Sequence, residues 1–150
     1  ATQSRPPVLD ATGPNTPLGE AVKLSLDLLD ERKRAYKENG IDYYQPWLVL
    51  MSDGQPNGDR AVLDAQVARV QQLAADRKLV VFPIGIGAGA DMAALNRFSA
   101  PRPAFKLQGL NFQSFFSWLS ASVSRVSQST PGDGVPIDVD GMKSWSDFKF

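Results

Sequence analysis

The segment Trp47-Leu-Val-Leu-Met-Ser-Asp-Gly54 limits most tightly what this chain can fold into. Five apolar residues end abruptly at Ser52-Asp53-Gly54. A continuous apolar run closed by a turn signal reads as a strand buried on both faces, as in a parallel sheet covered by helices. Asp-Gly just past such a strand puts a carboxylate at the carboxyl edge, where open α/β sheets bind ligands. Asp53 is therefore the first candidate for function, set against the plainer role of turning the chain.

Composition narrows the chemistry. The 150 residues fit one domain, enough to bury roughly two-thirds of the unfolded surface. Sixteen basic residues balance sixteen acidic ones, so no global field draws in nucleic acid or an anionic membrane. No stretch of apolar residues is long enough to span a bilayer, and no basic region precedes an apolar one as in an export signal. Neither a membrane nor a nucleic-acid partner is expected. Cysteine is absent, which excludes disulfides, thiolate metal sites and cysteine nucleophiles. Histidine is absent too, which removes the usual general base, the Ser-His-Asp triad and His-ligated zinc or iron. Any metal must be hard and oxygen-bound: magnesium, calcium or manganese.

Three regions are expected: an extended connection at 1–14, a folded domain at 15–129 and a loosely ordered tail at 130–150 that lies on the surface. The first helix runs from Pro17 to about Glu38, with Asn15 or Thr16 as its cap, Gly40 as its stop and Leu18, Val22, Leu26 and Leu29 as its buried stripe. A second helix covers about Arg60 to Arg77, with an apolar period at Leu63, Val67, Val70 and Leu73 or Ala74. Leu79 to Gly85 is a second apolar strand. Asp91 caps a short helix carrying Met92, Leu95 and Phe98, and Phe105-Lys-Leu107 is a third, short strand. A last helix, about Asn111 to Val126, buries Phe112, Phe115 or Phe116, Leu119 and Val123. Helices and strands in alternation imply a parallel, Rossmann-like α/β sheet with right-handed crossovers. Leu48 to Met51 are too apolar for an edge strand, so a further strand is expected on their open side.

Four segments carry a family resemblance. Asn15-Thr-Pro-Leu-Gly-Glu-Ala21 looks like a threonine loop opening a helix. Leu48-Val-Leu-Met-Ser-Asp-Gly-Gln-Pro56 looks like a strand with its aspartate loop. Val81-Phe-Pro-Ile-Gly-Ile-Gly-Ala-Gly-Ala-Asp91 resembles the next strand and loop. Phe115 to Ser124, followed by Ser127-Gln-Ser129, is similar to a closing helix. Over residues 5–129 the chain resembles the von Willebrand factor A (VWA) domain, and within it the bacterial TerY-like proteins of tellurium resistance. The resemblance implies a VWA fold and a metal-ion-dependent adhesion site (MIDAS), with Thr16 and Asp53 as metal ligands and Ser52, Gly54 and Gln55 shaping the loop rim. It implies a divalent cation, Mg2+ first and Ca2+ or Mn2+ next. It also implies a protein partner whose acidic side chain completes the ion's shell and a cytoplasmic stress-response setting. No enzymatic activity is expected, since without His or Cys catalysis would need a second carboxylate convergent with Asp53, and none is evident.

One family element is missing. No Asp-x-Ser-x-Ser occurs in these residues, and nothing before Thr16 matches the family's first strand, its helix and the next two strands. In that family the first strand lies beside the counterpart of the Trp47 strand. The chain therefore reads as the carboxyl-terminal portion of a VWA domain, incomplete at its amino-terminal side, with the missing segment as a further partner.

Two other patterns lead to a nucleotide-binding or metal-dependent phosphate-transfer enzyme. Gly85-Ile-Gly-Ala-Gly-Ala90 satisfies the dinucleotide fingerprint, yet no acidic residue lies between Asp91 and Asp133 to bind a ribose. Ile137-Asp-Val-Asp-Gly141 resembles a phosphatase motif with an aspartate nucleophile, yet it sits at the end of the chain. A polar turn, or an interaction peptide anchored by Trp145, Phe148 and Phe150, suits that position better.

Overall fold

The computed structural model describes residues 15–99, 102–132 and 135–147; the expected connection at 1–14 and the anchors Phe148 and Phe150 lie outside these. The elements are α1 (Leu18–Glu38), β1 (Trp47–Ser52), α2 (Arg60–Ala75), β2 (Val80–Gly85), α3 (Met92–Ser99), β3 (Phe105–Lys106), α4 (Phe112–Ser127) and α5 (Val139–Met142). The strands form one parallel sheet in the order β1-β2-β3, flanked by helices on both faces. This is the expected Rossmann-like α/β arrangement. No helix among the described residues is long and apolar enough to cross a membrane.

Alternation along the strands divides the core into two layers. Leu48 and Leu50 of β1 and Val81 of β2 face α1, α2 and α3, where they meet Val22, Leu26, Val67, Val70 and Leu95. Trp47, Val49 and Met51 face the opposite way with Phe82, Ile84 and Phe105, towards Phe115 and Trp118 of α4. Helices α1 and α2 pack so closely that a Cβ added to Gly19 would stand 2.7 Å from Leu63 Cα. Arg69 ties the pair from outside through ion pairs to Asp27 (2.8 Å) and Asp30 (2.7 Å).

Several local expectations change. Helix α1 takes Pro17 as its N-cap and makes no side-chain cap bond, so neither Asn15 nor Thr16 caps it. Proline fixes the chain's entry without needing a donor, and Leu18 N donates to Thr16 O instead (2.8 Å). On α4 the buried residues are Phe115, Trp118 and Ser122, while Phe116 and Val123 stay about half exposed. The helix is rotated so that Trp118 enters an aromatic cluster with Phe82, Phe115 and Trp145, all at ring-centroid distances of 5.1 to 6.3 Å. Strand β1 is an edge strand among the described residues, and Trp47, Leu48, Val49 and Met51 are only partly buried.

The tail departs furthest from expectation. Residues 135–147 pack back onto the domain, with Trp145 0% and Met142 4% exposed. Trp118 Nε1 donates to Asp138 O (2.9 Å). Ser146 bridges antiparallel to Leu107, with Gln108 N donating to Trp145 O (2.9 Å) and Asp147 N to Lys106 O (3.1 Å). A tryptophan surrounded by polar residues gives a weak periodic signal, yet its ring is the largest fully buried side chain of the fold.

Candidate functional site

Three segments lock onto one another at the carboxyl ends of β1 and β2: the loops that follow these strands and the start of α1. Ser52 is buried, and its carbonyl accepts from Ile86 N (2.9 Å), which continues the β1–β2 ladder one step past the strands. Asp53 then emerges exposed at the tip. The loop from Asp53 to Asp59 is held against the start of α1 by a reciprocal pair: Thr16 N donates to Asn57 Oδ1 (2.6 Å) and Asn57 N to Thr16 O (3.2 Å). Asp59 ends this loop as the cap of α2, accepting from Ala61 N at 2.7 Å. From the other side Asp91 N donates to Gly54 O (3.3 Å), and Asp91 Oδ1 caps α3 through Ala94 N (2.9 Å). Gly89 passes so close that a Cβ there would lie 2.9 Å from Asp53 O.

This locking places the two candidate ligands. Thr16 stands just before the Pro17 cap, and its Oγ1 lies 3.7 Å from where a Cβ of Gly54 would stand. Thr16 thus lies beside the loop whose tip is the exposed Asp53. Gly54 is half-buried between the loops, while Gln55 is exposed on the rim.

Glu20 is a site residue that the sequence reading did not single out. Its Oε1 accepts from Asp59 N (2.8 Å), while Oε2 is buried with no hydrogen-bond partner. An acid in the first turn of α1, four residues after Thr16, was the available signal. It looks like an ordinary helix-dipole residue, and only the fold brings it to the α2 cap.

Hydroxyl and carboxylate oxygens suit a hard cation. Among the described residues, however, no group of three or more acidic side chains converges to hold one. Thr16 and Asp53 offer one hydroxyl and one carboxylate, fewer oxygens than such a cation takes.

The competing motifs find structural work. Asp138 caps α5, accepting from Gly141 N (2.9 Å), and pairs with Arg125 at 3.2 Å. The Gly141 N–H first, and then Arg125, hold its carboxyl below the usual carboxylate range. Asp138 thus begins a short helix, where a phosphatase nucleophile would follow a strand. In the Gly85–Ala90 segment, Gly85 ends β2 under Met92 and Ala90, and Gly87 supplies a turn at φ 70°. Helix α3 starts only at Met92. The Asp91 carboxylate already occupies its N-terminus, where a pyrophosphate would have to sit.

No family model matches the chain, and neither a curated protein nor a solved structure matches it.

Proposed function

We propose that this chain is a cation-dependent protein-interaction module of the VWA kind, similar to TerY-like proteins, with Thr16 and Asp53 among its metal ligands. The observation that carries the reading is the junction of the threonine and aspartate loops at the sheet's carboxyl edge. There Thr16 stands just before the Pro17 cap of α1, with its hydroxyl close to Gly54. A hard divalent ion, Mg2+ before Ca2+ or Mn2+, retains water ligands and accepts a carboxylate from a partner. The module bridges: this chain holds the ion and the partner's acidic side chain completes the shell.

The reading assigns no catalysis to the chain. Its setting is bacterial, cytoplasmic and linked to tellurite resistance or stress. It also assigns a further VWA segment, carrying the Asp-x-Ser-x-Ser, to the outer edge of β1, which is unpaired among the described residues.

Calorimetric Mg2+ titration of the wild type, Thr16→Val and Asp53→Ala tests the ligand assignment. Weak saturable binding that Asp53→Ala abolishes and Thr16→Val weakens supports it. Equal heats in all three variants overturn it.

A further inference from the structure

A second candidate site lies at the opposite end of the sheet, where β1 and β2 begin. A cavity of about 590 Å3 opens there, within the size range of small-molecule sites. Its cations are Lys33, Arg77 and Lys78; its ring-bearing lining is Tyr43, Tyr44 and Trp47. We propose that this cavity binds a small amphiphilic anion, with a planar apolar body against the aromatic lining and a phosphate or carboxylate head at Arg77 and Lys33.

Arg77 is the first argument. Helix α2 ends in a Schellman turn, with Lys78 N donating to Leu73 O (2.8 Å) and Arg77 N to Ala74 O (3.1 Å). The turn demands a left-handed residue, and Arg77 takes it at φ 55°. Helix α1 ends in the same turn, with Ile41 N donating to Tyr36 O and Gly40 N to Lys37 O, and there the left-handed residue is Gly40 at φ 62°. Glycine is the low-strain choice at such a position. Arginine in that conformation places a guanidinium at the cavity at a conformational cost.

The alternative role for these cations is to balance the carbonyl ends of α1 and α2. Lys33 partly does this, donating to Lys78 O (3.2 Å), and Lys78 pairs with Asp76 at 3.2 Å. Arg77 has no ion pair among the described residues, and the turn itself already bonds the Leu73 and Ala74 carbonyls. Burial, and then Lys37 and Lys78, push the Lys33 ammonium below its usual range against the pull of Asp30; a bound anion would relieve that.

The inner end supplies the second argument. Ser122 is 4% exposed, and its hydroxyl is buried without a partner. It lines a void of about 10 Å3 that shares Trp47, Val126, Val135 and Ile137 with the cavity. A void of that size holds about one water, and through it the proposed ligand would meet the Ser122 hydroxyl.

The test is an amide NMR titration of the intact chain with phenyl phosphate, with inorganic phosphate and phenol run separately. The expected result is saturable shifts at Lys33, Tyr44, Arg77 and Val126, with phenyl phosphate tighter than either half. Arg77→Gly should weaken binding about tenfold while its melting temperature stays level or rises, because glycine relieves the left-handed residue. Inorganic phosphate binding as tightly as phenyl phosphate, shifts centred away from the cavity, or unchanged affinity in Arg77→Gly would each overturn the proposal. The metal reading stands or falls independently, since Thr16 and Asp53 lie at the other end of the strands.

Discussion

Asp53 and Gly89 show how much of the candidate site depends on single atoms. Asp53 is exposed and carries no ion pair among the described residues, so Asp53→Ala should change stability by no more than about 0.5 kcal/mol while removing the metal response. Thermal melts with and without Mg2+ check both halves of that statement. Gly89→Ala should do the reverse. Its Cβ would press on the backbone oxygen of Asp53 at 2.9 Å, so the loops must part at a cost of about 1–3 kcal/mol, measurable by urea unfolding. Asp138 makes a pH prediction. Its carboxyl is held low by the Gly141 N–H and by Arg125. The native state therefore prefers the charged form, and the resulting stability is present above about pH 4. It is lost as pH falls through the lowered native value. Melting curves from pH 7 to pH 2 should show a smaller acid-side loss in Asp138→Asn than in the wild type.

At the scale of elements, the strands and the four longer helices were legible because apolar runs and helical spacing report burial directly. Strands β1 and β2 sit within a residue of their expected limits. Asp91 caps α3 as its position before Met92 implied. What escaped was set by tertiary contacts. The rotation of α4 could not be read from its own spacing, since Phe115 and Phe116 offer alternative faces and only the cluster around Trp118 selects one. The packing of 135–147 was hidden because one buried ring, Trp145, carries it among polar neighbours. Trp145→Ala should cost about 3–5 kcal/mol and free residues 135–147 from the β3 edge, visible as faster amide exchange at Gln108 and Asp147. The juncture of Thr16 with Gly54 was expected only through a family resemblance. The lock by Asn57 gave no signal in spacing or composition, and Glu20 showed only as an ordinary first-turn acid.

Over the whole molecule, the two edges of the sheet are treated differently. The β3 side is covered by the returning chain through Leu107 and Ser146. The β1 side presents six residues, Trp47–Ser52, none of them charged or proline, the residues that commonly protect an edge. Helix α1 exposes Leu24 and Leu28, and α4 exposes Phe116 and Val123. By helical spacing these lie on the flanks turned away from α2 and α5 respectively. Among the described residues this is an unpaired apolar edge between two apolar flanks, the place to which the proposed VWA reading assigns a further strand. The sheet's two ends differ as well, with hydroxyl and carboxylate at one and cations with aromatic rings at the other.

The claim on which this account turns is that Thr16 and Asp53 bind one cation together. Mn2+ added to the 15N-labelled chain tests it most directly, because the paramagnetic ion broadens nearby amides even when it binds weakly. Saturable broadening centred on Thr16, Asp53 and Gly54, competed by Mg2+ and absent in Asp53→Ala, is the expected result. Broadening that favours other carboxylates, or that persists unchanged around Gly54 in Asp53→Ala, would contradict it.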